Sequence, residues 1–112
     1  MAKAIHSMVR VADKERSLEF YETAFELRVA DIYDFENFTL IYMSNDKSEF
    51  ELELTVNKGQ KEPYDLGNGY GHIAFTVADI EAEYRRLASL GFSPSDIKSL
   101  DDIRLLPFTT KQ

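Results

Sequence analysis

Two segments of the chain begin with histidine and share residues at a constant offset. His6 recurs as His72, 66 residues later, and Asp13 recurs as Asp79 at the same offset. Three further pairs match at this offset: Val11 and Val77, Ala12 and Ala78, and Glu15 and Glu81. A fixed offset indicates a duplicated supersecondary unit. Because these are the only two histidines of the sequence, each copy carries one imidazole that could bind a metal ion.

The predicted strands place further polar side chains beside these histidines. His6 and Arg10 share one strand face, and Glu53 and Asn57 share a face of another strand, each pair roughly 13 Å apart. If the two strands pair, His6 neighbours Glu53, Arg10 neighbours Asn57, and His72 joins from the duplicated strand. Neutral imidazole and carboxylate are ligands for zinc, nickel, cobalt, iron or manganese. The pattern therefore predicts a concave, metal-capable surface.

A purely structural interpretation of the same residues remains open at this point. Histidines are often surface residues or hydrogen-bonded core residues, and a single Arg10 is most often a surface charge. Glu51, Glu53 and Asn57 fit the solvated face of an amphipathic strand. Glu51 lies on the same strand face as Glu53. Residue types and spacing do not choose between these interpretations.

Hydrophobic periodicity predicts the elements that hold these side chains. Strands are predicted over residues 4–11, 28–33, 38–43, 50–57 and 69–77, with a weak strand over 103–106 and a polar hairpin loop over 44–48. Asp13 and Asp79 are predicted to cap two helices, and Gly91 to end the second. The inner stripes of these helices are predicted to be Leu18, Tyr21 and Phe25, and Ile80, Tyr84 and Leu87.

The element order predicts an α+β fold of paired βαβββ modules in a single domain. Module one covers about residues 4–57, a linker covers about 58–68, and an incomplete module two covers about 69–112. Linkers of this length in small domains are usually functional or mobile.

Composition restricts the partners. With 112 residues, 44% hydrophobic residues and a formal charge of −7, the sequence is that of an acidic globular domain, which argues against nucleic acid. It contains no cysteine, no apolar run long enough to span a membrane and no signal-peptide pattern. We therefore expect a cytoplasmic protein without disulfides.

Three motifs, in order, resemble glyoxalase I (lactoylglutathione lyase) of the vicinal-oxygen-chelate superfamily. They are HSMVRV with SLEFY at residues 6–11 and 17–21, ELELTVNKG at 51–59, and GYGHIAF at 69–75. The resemblance implies a homodimer with metal sites between subunits, and lyase activity on the methylglyoxal–glutathione hemithioacetal.

The resemblance also implies roles for individual residues. His6, Glu53 and His72 would be metal ligands, Glu53 would in addition be catalytic, and Arg10 and Asn57 would bind the glutathione part of the substrate. Nickel or cobalt would be favoured and zinc possible, because the family places histidine at the position of His6 in the nickel and cobalt type.

One family feature is missing from the sequence. The family has a fourth ligand, a glutamate on the last strand of the second module, but the position 66 residues beyond Glu53 would be 119 and the sequence ends at Gln112. The tail contains Asp101 and Asp102 but no glutamate. We therefore expect a C-terminally truncated family member with a partial metal site and weak or absent isomerase activity. An open sheet edge would also favour a dimer, including one with exchanged modules.

Two alternative functions remain. A bleomycin-resistance-type module of the same superfamily would bind a ligand without chemistry, and the acidic surface would suit a cationic ligand. An Fe(II) ring-cleaving dioxygenase would use two histidines and one carboxylate, the same donor types as His6, His72 and Glu53. Arg10 and Asn57, which match glutathione recognition, favour the lyase.

Overall fold

The computed structural model describes residues 1–101 and 103–106, so Asp102 and residues 107–112 of the predicted second module lie outside the described part. The chain divides into a first unit, residues 1–65, and a second unit that begins at Leu66. The division falls within the predicted linker. Helices and strands together give an α+β fold, as predicted.

The first unit has the predicted βαβββ order. Its elements are β1 (His6–Arg10), α1 (Lys14–Phe25), β2 (Arg28–Asp34), β3 (Phe38–Ser44) and β4 (Glu51–Asn57). They form a four-stranded sheet in the order β1-β4-β3-β2. β1 lies parallel to β4, and the other neighbours are antiparallel. The sheet therefore pairs the two strands that carry the predicted site residues.

The core of the first unit lies on one face of this sheet. Ile41 is the register partner of Leu54, and Met43 is the partner of Leu52, with all four side chains at most 2% exposed. Helix α1 buries Ser17, Phe20, Tyr21 and Ala24. Of the predicted stripe only Tyr21 is buried, while Leu18 and Phe25 are half-buried. The buried stripe includes the small residues Ser17 and Ala24, which apolar periodicity alone does not reveal.

Both helices begin at the duplicated aspartates, as predicted. The Asp13 carboxylate accepts a hydrogen bond from the Arg16 backbone N–H at 3.1 Å, and the Asp79 carboxylate accepts one from Ala82 at 3.1 Å. Each bond satisfies a backbone donor that has no partner within the first helical turn. Among the described residues, no helix is long and apolar enough to cross a membrane.

The second unit differs from its predicted plan. It contains α2 (Ile80–Ser89), β5 (Lys98–Leu100) and β6 (Ile103–Leu105), and the last two strands form a separate hairpin. Leu87 of the predicted inner stripe is buried, whereas Ile80 and Tyr84 are half-buried. Gly91, at φ 91°, follows the end of α2 as predicted. The weak strand near residue 103 is confirmed, and β5 was not foreseen.

The predicted strand over residues 69–77 is wrong. This segment is irregular, and no strand within the described part of the chain pairs with it. A strand requires a neighbouring backbone to complete its hydrogen-bond ladder, however β-like its own residues are. His72 therefore lies on an irregular, exposed segment rather than on a duplicate of β1.

Candidate functional site

Glu53 lies in the middle of β4, where the structure buries it to 9% exposure. The expectation that it belongs to a solvated strand face is therefore wrong. The Tyr42 hydroxyl donates to Glu53 Oε2 at 2.7 Å, and the Thr55 hydroxyl donates to Oε1 at 3.2 Å. A buried carboxylate is stable only with such partners, and both of its oxygens are fixed by them.

His6 meets Glu53 diagonally across the β1–β4 pair. The direct register partner of His6 is Glu51, yet His6 Nε2 lies 3.1 Å from Glu53 Oε2. The predicted neighbourhood of His6 and Glu53 is therefore present, through a diagonal that long side chains can span. The His6 side chain is 38% exposed and that of Glu53 11%. The pair is thus reached from solvent on the His6 side.

The two atoms have the chemistry and the separation of ligands to one cation. Two donor atoms that bind one ion at about 2.1 Å and at right angles lie roughly 3 Å apart. The 3.1 Å between His6 Nε2 and Glu53 Oε2 fits this value. When the imidazole is protonated instead, the same contact is an ion pair. The pair alone supplies two donors, and among the described residues no group of three or more His, Asp or Glu side chains could hold a metal.

Tyr42 completes the surroundings of the pair, although residue spacing does not predict it. It is the register partner of Glu53 across the β3–β4 hairpin, so hairpin pairing would have pointed to it. Its ring stands edge-on to the ring of His6 at 5.5 Å and to that of Tyr33 at 5.9 Å. The hydrogen bond to the Glu53 carboxylate, and secondarily burial, raises the pKa of Tyr42 to about 12. The phenol of Tyr42 therefore stays protonated at neutral pH and can donate its hydrogen bond.

A surface cleft of about 330 Å³ opens beside His6 and Tyr42. The residues that line it are Ile5, His6, Asp31, Tyr33, Tyr42 and Glu51. Glu51, whose role as a replacement for the missing fourth ligand the sequence leaves open, lines this cleft and is half-buried. The cleft gives a small molecule access to the exposed side of His6.

Arg10 and Asn57 lie further along the same pair of strands. Arg10 is exposed at the end of β1, with Thr55 as its register partner, and Asn57 is two residues further along β4. The Asn57 amide donates to the Tyr64 hydroxyl at 3.0 Å, so Tyr64 was a further residue that spacing did not predict. The diagonal between Arg10 and Asn57 is the same as that between His6 and Glu53. The His6–Glu53 pair and the Arg10–Asn57 pair therefore follow each other along the same two strands.

His72 belongs to a different compact unit from the other predicted site residues. His6, Arg10, Glu53 and Asn57 belong to the first unit, and His72 belongs to the second. The duplicated histidines thus differ in setting, since one lies on a paired strand and the other on an irregular segment.

Known proteins resemble the chain over most of its length. The family model described as Glyoxalase/Bleomycin resistance protein/Dioxygenase superfamily matches residues 3–99. The probable lactoylglutathione lyase of Synechocystis sp. is 36% identical over 91 residues, which cover 78% of this chain and 69% of that protein. The lactoylglutathione lyase of Schizosaccharomyces pombe is 36% identical over an alignment of 114 positions, gaps included, that covers 81% of this chain and 38% of that protein. The chain therefore spans about two thirds of the first relative and well under half of the second.

A solved structure shows the same relationship. The trypanothione-dependent glyoxalase I of Leishmania major superposes with a TM-score of 0.78 at 27% sequence identity, over 88% of this chain and 73% of that one. The matched range of the family model includes the five predicted site residues. The chain therefore belongs to the glyoxalase/bleomycin resistance protein/dioxygenase superfamily, as a member of the lactoylglutathione lyase-like type.

Proposed function

We propose that the chain contributes to a metal-dependent lactoylglutathione lyase that converts the methylglyoxal–glutathione hemithioacetal to S-lactoylglutathione. One observation carries the proposal. The buried Glu53 carboxylate is held by Tyr42 and Thr55 and places one oxygen 3.1 Å from His6 Nε2. The motifs at residues 6–11 and 51–59 resemble those of glyoxalase I, and this resemblance implies that both residues are metal ligands. Relatives named lactoylglutathione lyase support the substrate class.

His6 and Glu53 would hold the metal ion, with His72 as a third ligand. Nickel or cobalt is favoured and zinc is possible, since imidazole and carboxylate suit all three ions. When bound, the ion supplies positive charge that stabilises negative charge on the substrate oxygens.

Glu53 would also move the proton in the isomerisation. A carboxylate oxygen of Glu53 would take the proton from the carbon that carries sulfur and return it to the adjacent carbon. The hydroxyl proton of the first carbon would pass to the oxygen of the second, so the isomerisation consumes no co-reactant. Burial of Glu53 suits this role, because it keeps water away from the carboxylate during proton transfer. Its hydrogen bonds keep it in one orientation.

Arg10 and Asn57 would hold the glutathione part of the substrate. The exposed guanidinium of Arg10 can pair with a glutathione carboxylate through two parallel hydrogen bonds. The Asn57 amide, oriented by Tyr64, offers a carbonyl oxygen to an ammonium or amide N–H of the tripeptide. A homodimer with sites between subunits would bring His72 of one copy to the His6–Glu53 pair of the other.

Replacement of Glu53 tests the proposal, with Glu19, an exposed glutamate of α1, as the control. Protein loaded with Ni(II) is assayed for thioester formation from methylglyoxal and glutathione. We expect Glu53→Gln to reduce turnover by at least about 100-fold, because it removes both a ligand and the base. Glu19→Gln should stay within a few-fold of the wild type. Equal losses in the two variants would contradict the assignment, and metal-loaded wild type without thioester formation would contradict the activity.

A further inference from the structure

The Tyr42 hydroxyl and the His6 imidazole converge on the same atom of Glu53. The hydroxyl donates to Oε2 at 2.7 Å, and His6 Nε2 lies 3.1 Å from that oxygen. Tyr42 reaches it from the direct register position on β3, and His6 reaches it diagonally from β1. Three adjacent strands thus each contribute one side chain to a single contact.

The Tyr42 ring is also held from two sides. It stands edge-on to His6 at 85° and to Tyr33 at 84°. Edge-on aromatic pairs favour one mutual orientation of the rings, so the position of the hydroxyl is restricted before any ligand binds. Tyr42 therefore contacts both members of the candidate ligand pair, one through its ring and one through its hydroxyl.

We infer that Tyr42 is a positioning residue for the metal site, whose hydroxyl fixes Glu53 Oε2 beside His6 Nε2. The inference rests on the proposed function, which makes this pair metal ligands. A glutamate side chain has several rotatable bonds, and a free carboxylate would have to be ordered when the ion binds. The hydrogen bond from Tyr42 orders it in advance and leaves another lone pair of Oε2 for the ion.

A purely structural role is the alternative, in which the hydrogen bond only satisfies the buried Glu53 carboxylate and so stabilises the sheet. The two roles differ in what they affect. A structural bond changes the stability of the metal-free protein, whereas a positioning bond changes metal affinity beyond any change in stability. Removal of a hydrogen-bond partner of a metal ligand typically weakens metal binding by roughly 10- to 100-fold.

The test is Tyr42→Phe, which keeps the ring and removes the hydroxyl, with Tyr33→Phe as the matched control. Calorimetric titration of metal-free protein with Ni(II) should show about 10- to 100-fold weaker binding for Tyr42→Phe and less than about a twofold change for Tyr33→Phe. The visible spectrum of the Co(II) form should change in Tyr42→Phe alone. Thermal unfolding without metal shows how far each variant is destabilised.

The outcomes separate this inference from the proposed function. If the wild type binds Ni(II) and Tyr42→Phe binds it equally well, the role of Tyr42 is overturned while the metal site stands. If the wild type binds no Ni(II), both are overturned. Should Tyr42→Phe fail to fold, the wild-type chain is titrated with Zn(II) and followed by NMR. Shifts of the Tyr42 and His6 ring signals at the same stoichiometry would support the inference, and an unshifted Tyr42 would overturn it.

Discussion

At the residue scale, Glu53 combines features that a strand residue rarely has together. It is charged, it lies in the centre of a sheet, and its two oxygens have separate hydroxyl donors. An unpaired buried carboxylate would be costly, so each partner contributes to the stability of the fold as well as to the geometry of the site. Residues around Glu53 are therefore expected to be sensitive to substitution for two distinct reasons.

The ionisation of Tyr42 provides a direct test of its contact with Glu53. The contact raises the pKa of Tyr42 from 10.0 to about 12, so the folded protein holds this proton more tightly than the unfolded chain does. The stabilisation is therefore complete below pH 10 and is lost as the pH rises from about 10 to 12. We expect the difference between the alkaline absorbance titrations of wild type and Tyr42→Phe to show a tyrosine that ionises near pH 12.

Removal of the negative charge should return this tyrosine towards its ordinary range. In Glu53→Gln the Tyr42 hydroxyl can donate only to a neutral amide oxygen, so the hydrogen bond that most raises its pKa loses its charged acceptor, whereas Glu51→Gln removes only a minor cause. Each variant is paired with its own Tyr42→Phe double variant so that the other tyrosines cancel. A Tyr42 that ionises near pH 10 in the wild type would mean that the contact is not formed in solution.

At the element scale, the repeat predicted helix starts better than it predicted strands. The duplicated Asp13 and Asp79 both cap helices, because an N-cap depends on its own residue and the next three. The strand predicted over residues 69–77 is absent, because a strand depends on a partner that its own sequence does not contain. Local signals are thus reliable where the interaction itself is local.

Loss of the first cap should weaken the fold by a measurable amount. Asp13→Ala leaves the Arg16 N–H without its acceptor, and we expect the free energy of unfolding to fall by about 1 kcal/mol. Urea denaturation of the metal-free protein measures the change. Asp13→Asn retains an acceptor oxygen and should lose clearly less. Equal losses in the two variants would show that the cap does not stabilise α1.

At the scale of the whole molecule, the chain consists of two compact units, and the candidate ligands are divided between them. The first unit provides His6 and Glu53, and the second provides His72. A homodimer with sites between subunits would combine the first unit of one copy with the second unit of its partner. Such an arrangement gives complementation between variants that are each inactive.

We therefore expect a mixture of Glu53→Gln and His72→Ala to regain activity. Each heterodimer would contain one site with neither change and one site with both, so subunit exchange at equal amounts should restore about a quarter of the wild-type sites. Thioester formation after unfolding and refolding the mixture together measures this, and separately refolded samples serve as the control. A monomeric mass in light scattering, or no recovery from a mixed dimer, would contradict shared sites.

The sequence by itself determined the α+β class, the βαβββ order of the first unit, both helix caps and the family. These features follow from periodicity, from local hydrogen bonding and from short motifs, each of which depends only on residues close together in the sequence. Only the tertiary structure decided that Glu53 is buried rather than solvated, that His6 reaches it diagonally, and that Tyr42 joins them. The pattern of β4 is the same for an edge strand and a central strand. Residues distant in the sequence place β4 between β1 and β3, and this position buries the polar face of the strand.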